Sequence, residues 1–186
     1  RRNYRATIYT YTLQMFDPTW FQTPAVDLID RLQAQRGVKT DRRLQIATDG
    51  YIEFLTRGGR LRFQDLTPEL VRRYLRRAVP ILTGLSSTYL YRTMREYGPR
   101  DDDDDVRGEP AGHFVVLCGY DKESRSVLVA DPLVPNPAFG KRLYQVSIDR
   151  LVCAILLGIL TYDANLLIIE PERNRGESAH ATSDHR

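Results

Sequence analysis

A histidine and an aspartate at the two ends of a predicted hairpin have the clearest chemical potential in this sequence. His113 opens the apolar segment HFVVLCGY, residues 113–120, which is typical of a buried strand. A polar turn, residues 121–126, leads to a returning strand that ends at Asp131. Because antiparallel pairing brings these two ends together, we expect the Asp131 carboxylate beside the His113 imidazole. Such a carboxylate fixes the tautomer of the ring and stabilises its charged form, as a general base requires.

Both residues also have ordinary structural interpretations. A lone histidine at a strand edge is more often structural or exposed than catalytic, and Asp131-Pro132 is a common start of a turn. The remaining histidines, His180 and His185, lie in a polar segment and are expected to be solvated. The hypothesis of a functional site therefore depends on the pairing of His113 with Asp131.

Other residue types offer weaker sites. Ser86 and Ser87 lie in GLSST, which lacks the second glycine of a nucleophile elbow, and they and Thr23 are expected to cap helices. The acidic run 101–105 lacks the alternation, glycine and distal glutamate of an EF-hand loop and is interpreted as a solvated loop. The sequence contains no zinc-type Cys/His cluster and no phosphate-binding glycine loop, so we expect no metal and no cofactor.

The composition limits the possible classes of protein. The chain has 186 residues and a net charge of +3, which is too low to predict nucleic-acid binding. We interpret the excess of arginine over lysine as an effect of genome composition rather than of phosphate binding. Cys118 and Cys153 cannot form a disulfide framework, and their apolar neighbours predict reduced, buried thiols in a cytoplasmic protein. The longest apolar run, 151–160, is about half of a membrane span, so no spanning segment is expected.

The order of the elements predicts the fold class. Helices come first and an antiparallel sheet comes last, which is typical of an α+β protein. A first strand is expected over 4–16, followed by a helix that Thr23 caps and a second helix over 41–55. A third helix begins at Thr67-Pro68, and an apolar strand, a short helix and the sheet around His113 follow. We expect one domain over 1–170 and a disordered polar tail over 171–186.

Three segments around the hairpin carry a resemblance to a known family. GHFVV at 112–116, GYD at 119–121 and VLVADP at 127–132 resemble the C39 peptidase-like group of papain-like cysteine peptidases. The resemblance covers roughly residues 66–170. It implies a papain-like α+β fold and a peptide or amide substrate. It also implies that His113 is the catalytic base and that Asp131 orients it.

The nucleophile expected from this resemblance is missing. The family order is Cys, His and then Asp, with the Cys at a helix N-terminus, and no cysteine precedes His113 here. Cys118 lies five residues further along the same strand, on the opposite sheet face and about 16 Å away. Cys153 lies in a predicted apolar helix and is expected to be a core thiol. Neither is a suitable partner for His113.

Three interpretations follow. In the first, the protein is a C39-like hydrolase whose cysteine lies upstream of Arg1, because the chain opens on Arg and its first strand lacks a preceding helix; this chain alone is then inactive. In the second, the domain is a non-catalytic module that binds peptides in the former substrate cleft. In the third, a serine or threonine acts as the nucleophile, but no hydroxyl residue has a suitable context. The oligomeric state stays open.

Overall fold

A computed structural model of the chain describes residues 4–172. Its strands are β1 (Tyr4–Thr10), β2 (Arg60–Arg62), β3 (Ile81–Ser86), β4 (Glu96–Tyr97), β5 (Asp102–Asp103), β6 (Gly112–Asp121), β7 (Ser126–Ala130), β8 (Leu143–Ser147) and β9 (Asn165–Pro171). Its helices are α1 (Leu28–Val38), α2 (Arg42–Thr56), α3 (Pro68–Leu75), α4 (Ser87–Tyr91) and α5 (Ile148–Leu157). All but the first two residues of the predicted tail, 171–186, lie outside the described residues.

Seven strands form one large sheet in the order β2-β1-β9-β3-β6-β7-β8. Every neighbouring pair is antiparallel except β1 and β2, which are parallel. The α+β class is therefore confirmed. The sheet does not belong to the second half of the chain alone, because β9 inserts between β1 and β3 and brings the first strand into the same sheet.

The larger apolar core lies between one face of this sheet and helices α3, α4 and α5. Alternate residues of the central strands point into it, including Val115 and Leu117 of β6 and Val129 of β7, all fully buried. The predicted inner face of α3 is also buried, with Leu70, Val71, Tyr74 and Leu75. Burial of each such side chain stabilises the fold by roughly 1.5–3 kcal/mol. The end of β6 that carries His113 lies against this core.

A second apolar cluster lies beneath α1 and α2. Ile8 of β1 pairs with Leu61 of β2, and both belong to this cluster, whereas Tyr9 belongs to the larger core. Because successive side chains of a strand alternate between faces, α1 and α2 cover the opposite side of the sheet at its β1–β2 end. Fully buried Leu32 of α1 packs there.

The first elements differ from the sequence prediction. The first strand ends at Thr10 rather than at residue 16, because Met15 and Phe16 donate to the Thr12 carbonyl in a turn. Thr23 does not cap α1. The helix begins after Asp27, whose carboxylate accepts from the Ile29 and Asp30 N–H groups at 2.8 and 3.3 Å. An aspartate directly before the apolar repeat is an equally good cap.

The expectation that both cysteines are buried is wrong, because Cys118 and Cys153 are both exposed. The pairing of β6 with β7 shifts register between Leu117 and Gly119, so Cys118 is the extra residue of a β-bulge. Cys153 lies on the outer face of α5, whereas Leu151 and Ala154 of that helix are buried.

The apolar run 151–160 forms core on only one side, since Leu156, Leu157 and Leu160 are exposed. Among the residues that the structure describes, no helix combines the length and the apolar character needed to cross a membrane.

The acidic run is more ordered than a solvated loop. Asp102 and Asp103 form β5, which pairs with β4 in a small separate sheet. Asp104 accepts from Arg107 Nε at 2.6 Å. Across residues 4–172, no group of acidic, histidine or cysteine side chains is arranged to hold a metal ion.

Candidate active site

The strand register brings His113 and Asp131 together. The pairing of β6 with β7 ends at Val116 opposite Ala130. His113 therefore lies on the part of β6 that extends beyond β7, and Asp131 directly follows the last residue of β7. His113 pairs with Leu85 of β3, which is fully buried, and the two side chains therefore share the core face of the sheet. His113 Nε2 lies 2.9 Å from Asp131 Oδ1. The contact expected from the hairpin is present, and the catalytic role of the pair stays a prediction.

Asp131 is held by an unusually full set of hydrogen-bond donors. Its side chain is buried, and Oδ1 also accepts from the Leu133 N–H at 2.9 Å. Its second oxygen, Oδ2, accepts from the Tyr91 hydroxyl at 2.6 Å, the Tyr144 hydroxyl at 2.7 Å and the Asn136 amide at 2.9 Å. Five donors therefore surround one carboxylate, which suits an ionised group.

The electrostatics agree with this geometry. Burial acts to raise the pKa of Asp131, but the hydrogen bonds from Tyr91, His113 and Tyr144 outweigh burial and hold that pKa below its ordinary value. Burial and the hydrogen bond to Asp131 raise the pKa of both Tyr91 and Tyr144. The two tyrosines therefore remain neutral donors, and Asp131 carries the negative charge at neutral pH.

This arrangement selects one tautomer of His113. An ionised carboxylate can only accept a hydrogen bond, so the proton of the neutral ring lies on Nε2. The lone pair then lies on Nδ1, and no hydrogen bond to Nδ1 is found within residues 4–172. The ring is 22% exposed. His113 is thus a fixed base with one free nitrogen, and this is the chemistry that the arrangement can supply.

A second carboxyl group lies on the other side of this strand end. Asp163 packs against Gly112, so closely that a Cβ at residue 112 would overlap its carboxylate. Burial raises the pKa of Asp163, while the Thr161 hydroxyl and the charge of His113 act to lower it. The glycine before His113 therefore makes room for an acidic side chain.

Sequence reasoning missed most of the residues that hold Asp131. Asn136 follows Asp131 by five residues in a proline-rich loop, and its side chain also accepts from the Ala138 and Phe139 N–H groups at 3.0 Å. Tyr144 lies opposite Val129, so strand alternation alone could have placed it on the core face. Tyr91 comes from α4, and no local pattern connects it with the hairpin.

Neither thiol is part of this site. Cys118 lies at the β-bulge, where its thiol contacts the Leu128 carbonyl at 3.5 Å, and Cys153 lies on the outer face of α5. The hydroxyls near the site are engaged in local hydrogen bonds. Ser86 caps α4 by accepting from the Tyr89 N–H at 3.3 Å, and Ser87 donates to the Ala111 carbonyl at 3.0 Å. The interpretation with a serine nucleophile therefore gains no support.

A cleft opens beside this end of the sheet. Its volume is about 400 Å³, and it lies between α4 and the end of α5. Tyr89, Leu157 and Leu160 supply apolar walls, and Ser86 at its edge pairs with Gly112, the residue before His113.

Comparison with known proteins gives one clear match. Residues 61–147 match the model of the Peptidase_C39 like family. This range includes both His113 and Asp131. No curated protein is significantly similar to the chain.

Among solved structures, a Bacillus anthracis protein assigned as a C39-like peptidase is similar at 16% identity and a TM-score of 0.33. The alignment covers 57% of this chain and 48% of that protein, so it spans about half of the other protein's length.

The resemblance noted in the hairpin segments is confirmed by the family match. Residues 61–147 are similar to a C39 peptidase-like family, and the sheet with its flanking helices is an α+β fold.

Proposed function

We propose that this chain supplies the base and the orienting carboxylate of a C39-like thiol hydrolase that cleaves a peptide or amide bond. The observation that carries the proposal is the 2.9 Å contact between His113 Nε2 and a buried Asp131 carboxylate. The contact leaves Nδ1 as the free base. The nucleophilic cysteine is then contributed by a segment other than these 186 residues, and residues 1–170 act as one C39-like domain.

The chemistry follows from the free nitrogen. Nδ1 of His113 takes the proton of the incoming thiol, and the resulting thiolate attacks the substrate carbonyl carbon. The imidazolium then gives its proton to the leaving amine, and an acyl-enzyme remains. Nδ1 next deprotonates a water molecule, which attacks the acyl carbon and releases the acid and the thiol. Asp131 stays ionised throughout and stabilises the imidazolium at each stage.

The cleft between α4 and the end of α5 supports the proposal that the substrate has an apolar side chain. Tyr89, Leu157 and Leu160 are all exposed, although apolar residues of this size are usually buried. They line the cleft together with Ser86, which pairs with Gly112, the residue before His113. We therefore assign this cleft to a side chain adjoining the scissile bond.

Activity requires the missing thiol, and this defines the test. The chain should be compared with a version extended by the coding sequence directly upstream of Arg1. We expect an electrophilic thiol probe such as a peptidyl epoxide to label one added cysteine of the extended protein. His113→Phe in that protein should reduce the labelling rate at least about tenfold. Cys153→Ser is the matched control and should leave the rate unchanged. An equal rate in the His113→Phe variant would overturn the proposal.

A non-catalytic peptide-binding module is the second candidate. Its support is that neither Cys118 nor Cys153 contacts His113, while the apolar cleft is present. An extended protein without a reactive cysteine that binds an apolar peptide, and loses binding in Leu160→Asp, would favour this candidate. Peptide cleavage that requires His113 would exclude it.

A further inference from the structure

A strongly basic pocket lies at the β2–β1–β9 end of the sheet. It has a volume of about 270 Å³. Five of the residues that line it are arginines: Arg5, Arg60, Arg62, Arg73 and Arg77. We call it the arginine pocket. We interpret the arginine excess of this chain as an effect of genome composition. The fold nevertheless brings five of these side chains together around one small space.

The strand register and the C-terminal end of α3 place these side chains together. Thr7 pairs with Arg60 and Tyr9 pairs with Arg62, so both arginines of β2 share the core face of the sheet. They are two residues apart on one strand, about 6–7 Å. Arg73 lies on α3, and Arg77 lies in the turn directly after that helix, where its N–H donates to the Tyr74 carbonyl at 2.9 Å. One pair of arginines therefore lies on the sheet and a second pair at the C-terminal end of the neighbouring helix.

The positive charge of the pocket is poorly compensated. Glu170 is the one carboxylate among its lining residues, and it is 8% exposed and pairs with Arg5 at 3.5 Å and with Arg77. In the part of the chain that the structure describes, Arg60, Arg62 and Arg73 form no ion pair. Five positive charges and one negative charge leave a net charge of +4.

Two tyrosine side chains, Tyr9 and Tyr74, also line the pocket. The Tyr9 and Tyr74 hydroxyls lie 2.7 Å apart, and Arg73 donates to Tyr9 at 3.1 Å. Burial, helped by the hydrogen bond to Tyr9, raises the pKa of Tyr74 to about 12. Tyr74 therefore adds no negative charge that would satisfy the arginines.

We propose that the arginine pocket binds a small anion that contains two linked phosphate groups. Guanidinium groups bind phosphate oxygens in a bidentate manner, and two pairs of them suit two adjacent phosphates. A diphosphate carries enough negative charge to offset most of the +4, which a single phosphate or carboxylate does not. The pocket is smaller than most drug-sized sites, which favours a compact ligand over a polymer.

This inference goes beyond the hydrolase proposal and does not depend on it. Two strands, β9 and β3, lie between β1 and the strand that carries His113. At about 4.8 Å per strand, the arginine pocket is more than about 10 Å from the candidate active site. A variant in the pocket should leave the contact between His113 and Asp131 intact.

The test is calorimetric titration of the chain with inorganic pyrophosphate at constant ionic strength. We expect saturable binding that is at least about tenfold tighter than binding of inorganic phosphate. The double variant Arg60→Gln/Arg62→Gln should weaken pyrophosphate binding at least about tenfold. Arg57→Gln/Arg125→Gln removes the same charge elsewhere, at exposed residues paired with Glu53 and Asp149, and should change binding less than about twofold.

Three results would overturn the proposal: equal weakening in both double variants, no preference for pyrophosphate over phosphate, and tighter binding of a triglutamate peptide. Thermal unfolding without ligand shows whether the variants fold. If the β2 double variant does not fold, Arg73→Gln provides the same test from the helix side and should also weaken binding.

Discussion

The two carboxyl groups that flank His113 are controlled by different surroundings. Asp131 is 3% exposed and accepts five hydrogen bonds, which lower its pKa in spite of its burial. Asp163 is half-buried, and burial raises its pKa. Burial acts to raise the pKa of both groups, so burial alone does not distinguish them. The donors aimed at Asp131 lower its pKa, and this assigns Asp131 as the anion beside the ring.

Removal of the Asp131 carboxylate should have the largest effect. Asp131→Ala leaves two tyrosine hydroxyls and the Asn136 amide buried without their shared acceptor. We expect the free energy of unfolding to fall by about 3–5 kcal/mol in urea titrations. Asp149→Ala is the matched control, because Asp149 is exposed and paired only across the surface with Arg125, and it should cost less than about 1 kcal/mol. Equal losses of unfolding free energy in Asp131→Ala and Asp149→Ala would contradict the contrast between a buried, hydrogen-bonded carboxylate and an exposed one.

Loss of one donor should have an intermediate effect. Tyr144→Phe removes the hydroxyl that lies 2.7 Å from Asp131 Oδ2 and keeps the ring that stacks on Phe139. A hydrogen bond to a charged group contributes about 1.5–3 kcal/mol, so a loss in this range is expected by urea unfolding. Tyr97→Phe, at an exposed ring, should change stability by less than about 0.5 kcal/mol. A Tyr144 variant as stable as the Tyr97 variant would show that the donor is dispensable.

The decrease in unfolding free energy at acid pH should depend on Asp131. Because its folded pKa is lowered, its stabilisation is fully present above the ordinary carboxyl pKa, near 3.8, and is lost as the pH falls through the folded value. Asp131→Asn should therefore flatten the dependence of unfolding free energy on pH below about pH 4. Chemical denaturation at a series of pH values measures this slope. An unchanged slope would mean that Asp131 does not stabilise the fold as an anion.

Substitution of Asp163 should have the smallest effect on stability, and the pH dependence of its contribution should be opposite to that of Asp131. Its folded pKa is raised, so its contribution is present below the ordinary carboxyl pKa and is lost as the pH rises through the folded value. Asp163→Asn should keep or slightly increase the melting temperature at pH 7. Differential scanning calorimetry of the variant and the parent chain gives the comparison. A clear decrease at pH 7 would show that the ionised form of Asp163 stabilises the fold.

The sequence predicts the parts of this molecule that depend on local patterns. The contact between His113 and Asp131 follows from a hairpin with a short polar turn, and the cap at Thr67 and the buried face of α3 follow from helical spacing. Non-local features were not predictable in this way. The parallel pairing of β2 with β1 joins residues about fifty positions apart, and Tyr91 reaches Asp131 from a separate helix.

The exposure of the cysteines shows a further limit of predicting burial from the sequence. Cys153 lies in an apolar run, but a helix on a sheet buries only one face, and the run does not reveal which face that is. Cys118 lies in a strand whose alternation is broken by a bulge, and the apolar sequence HFVVLCGY gives no sign of the bulge.

The central claim is that Asp131 fixes His113 as a base with a free Nδ1. The most direct measurement is the tautomer of the ring, from long-range ¹H–¹⁵N correlation spectra of the chain at a pH where the ring is neutral, with His113→Phe used for assignment. We predict one tautomer, with a proton on Nε2 and an unprotonated Nδ1, and averaging of the two tautomers in Asp131→Ala. A ring protonated on Nδ1, or one that averages both tautomers in the parent chain, would contradict it.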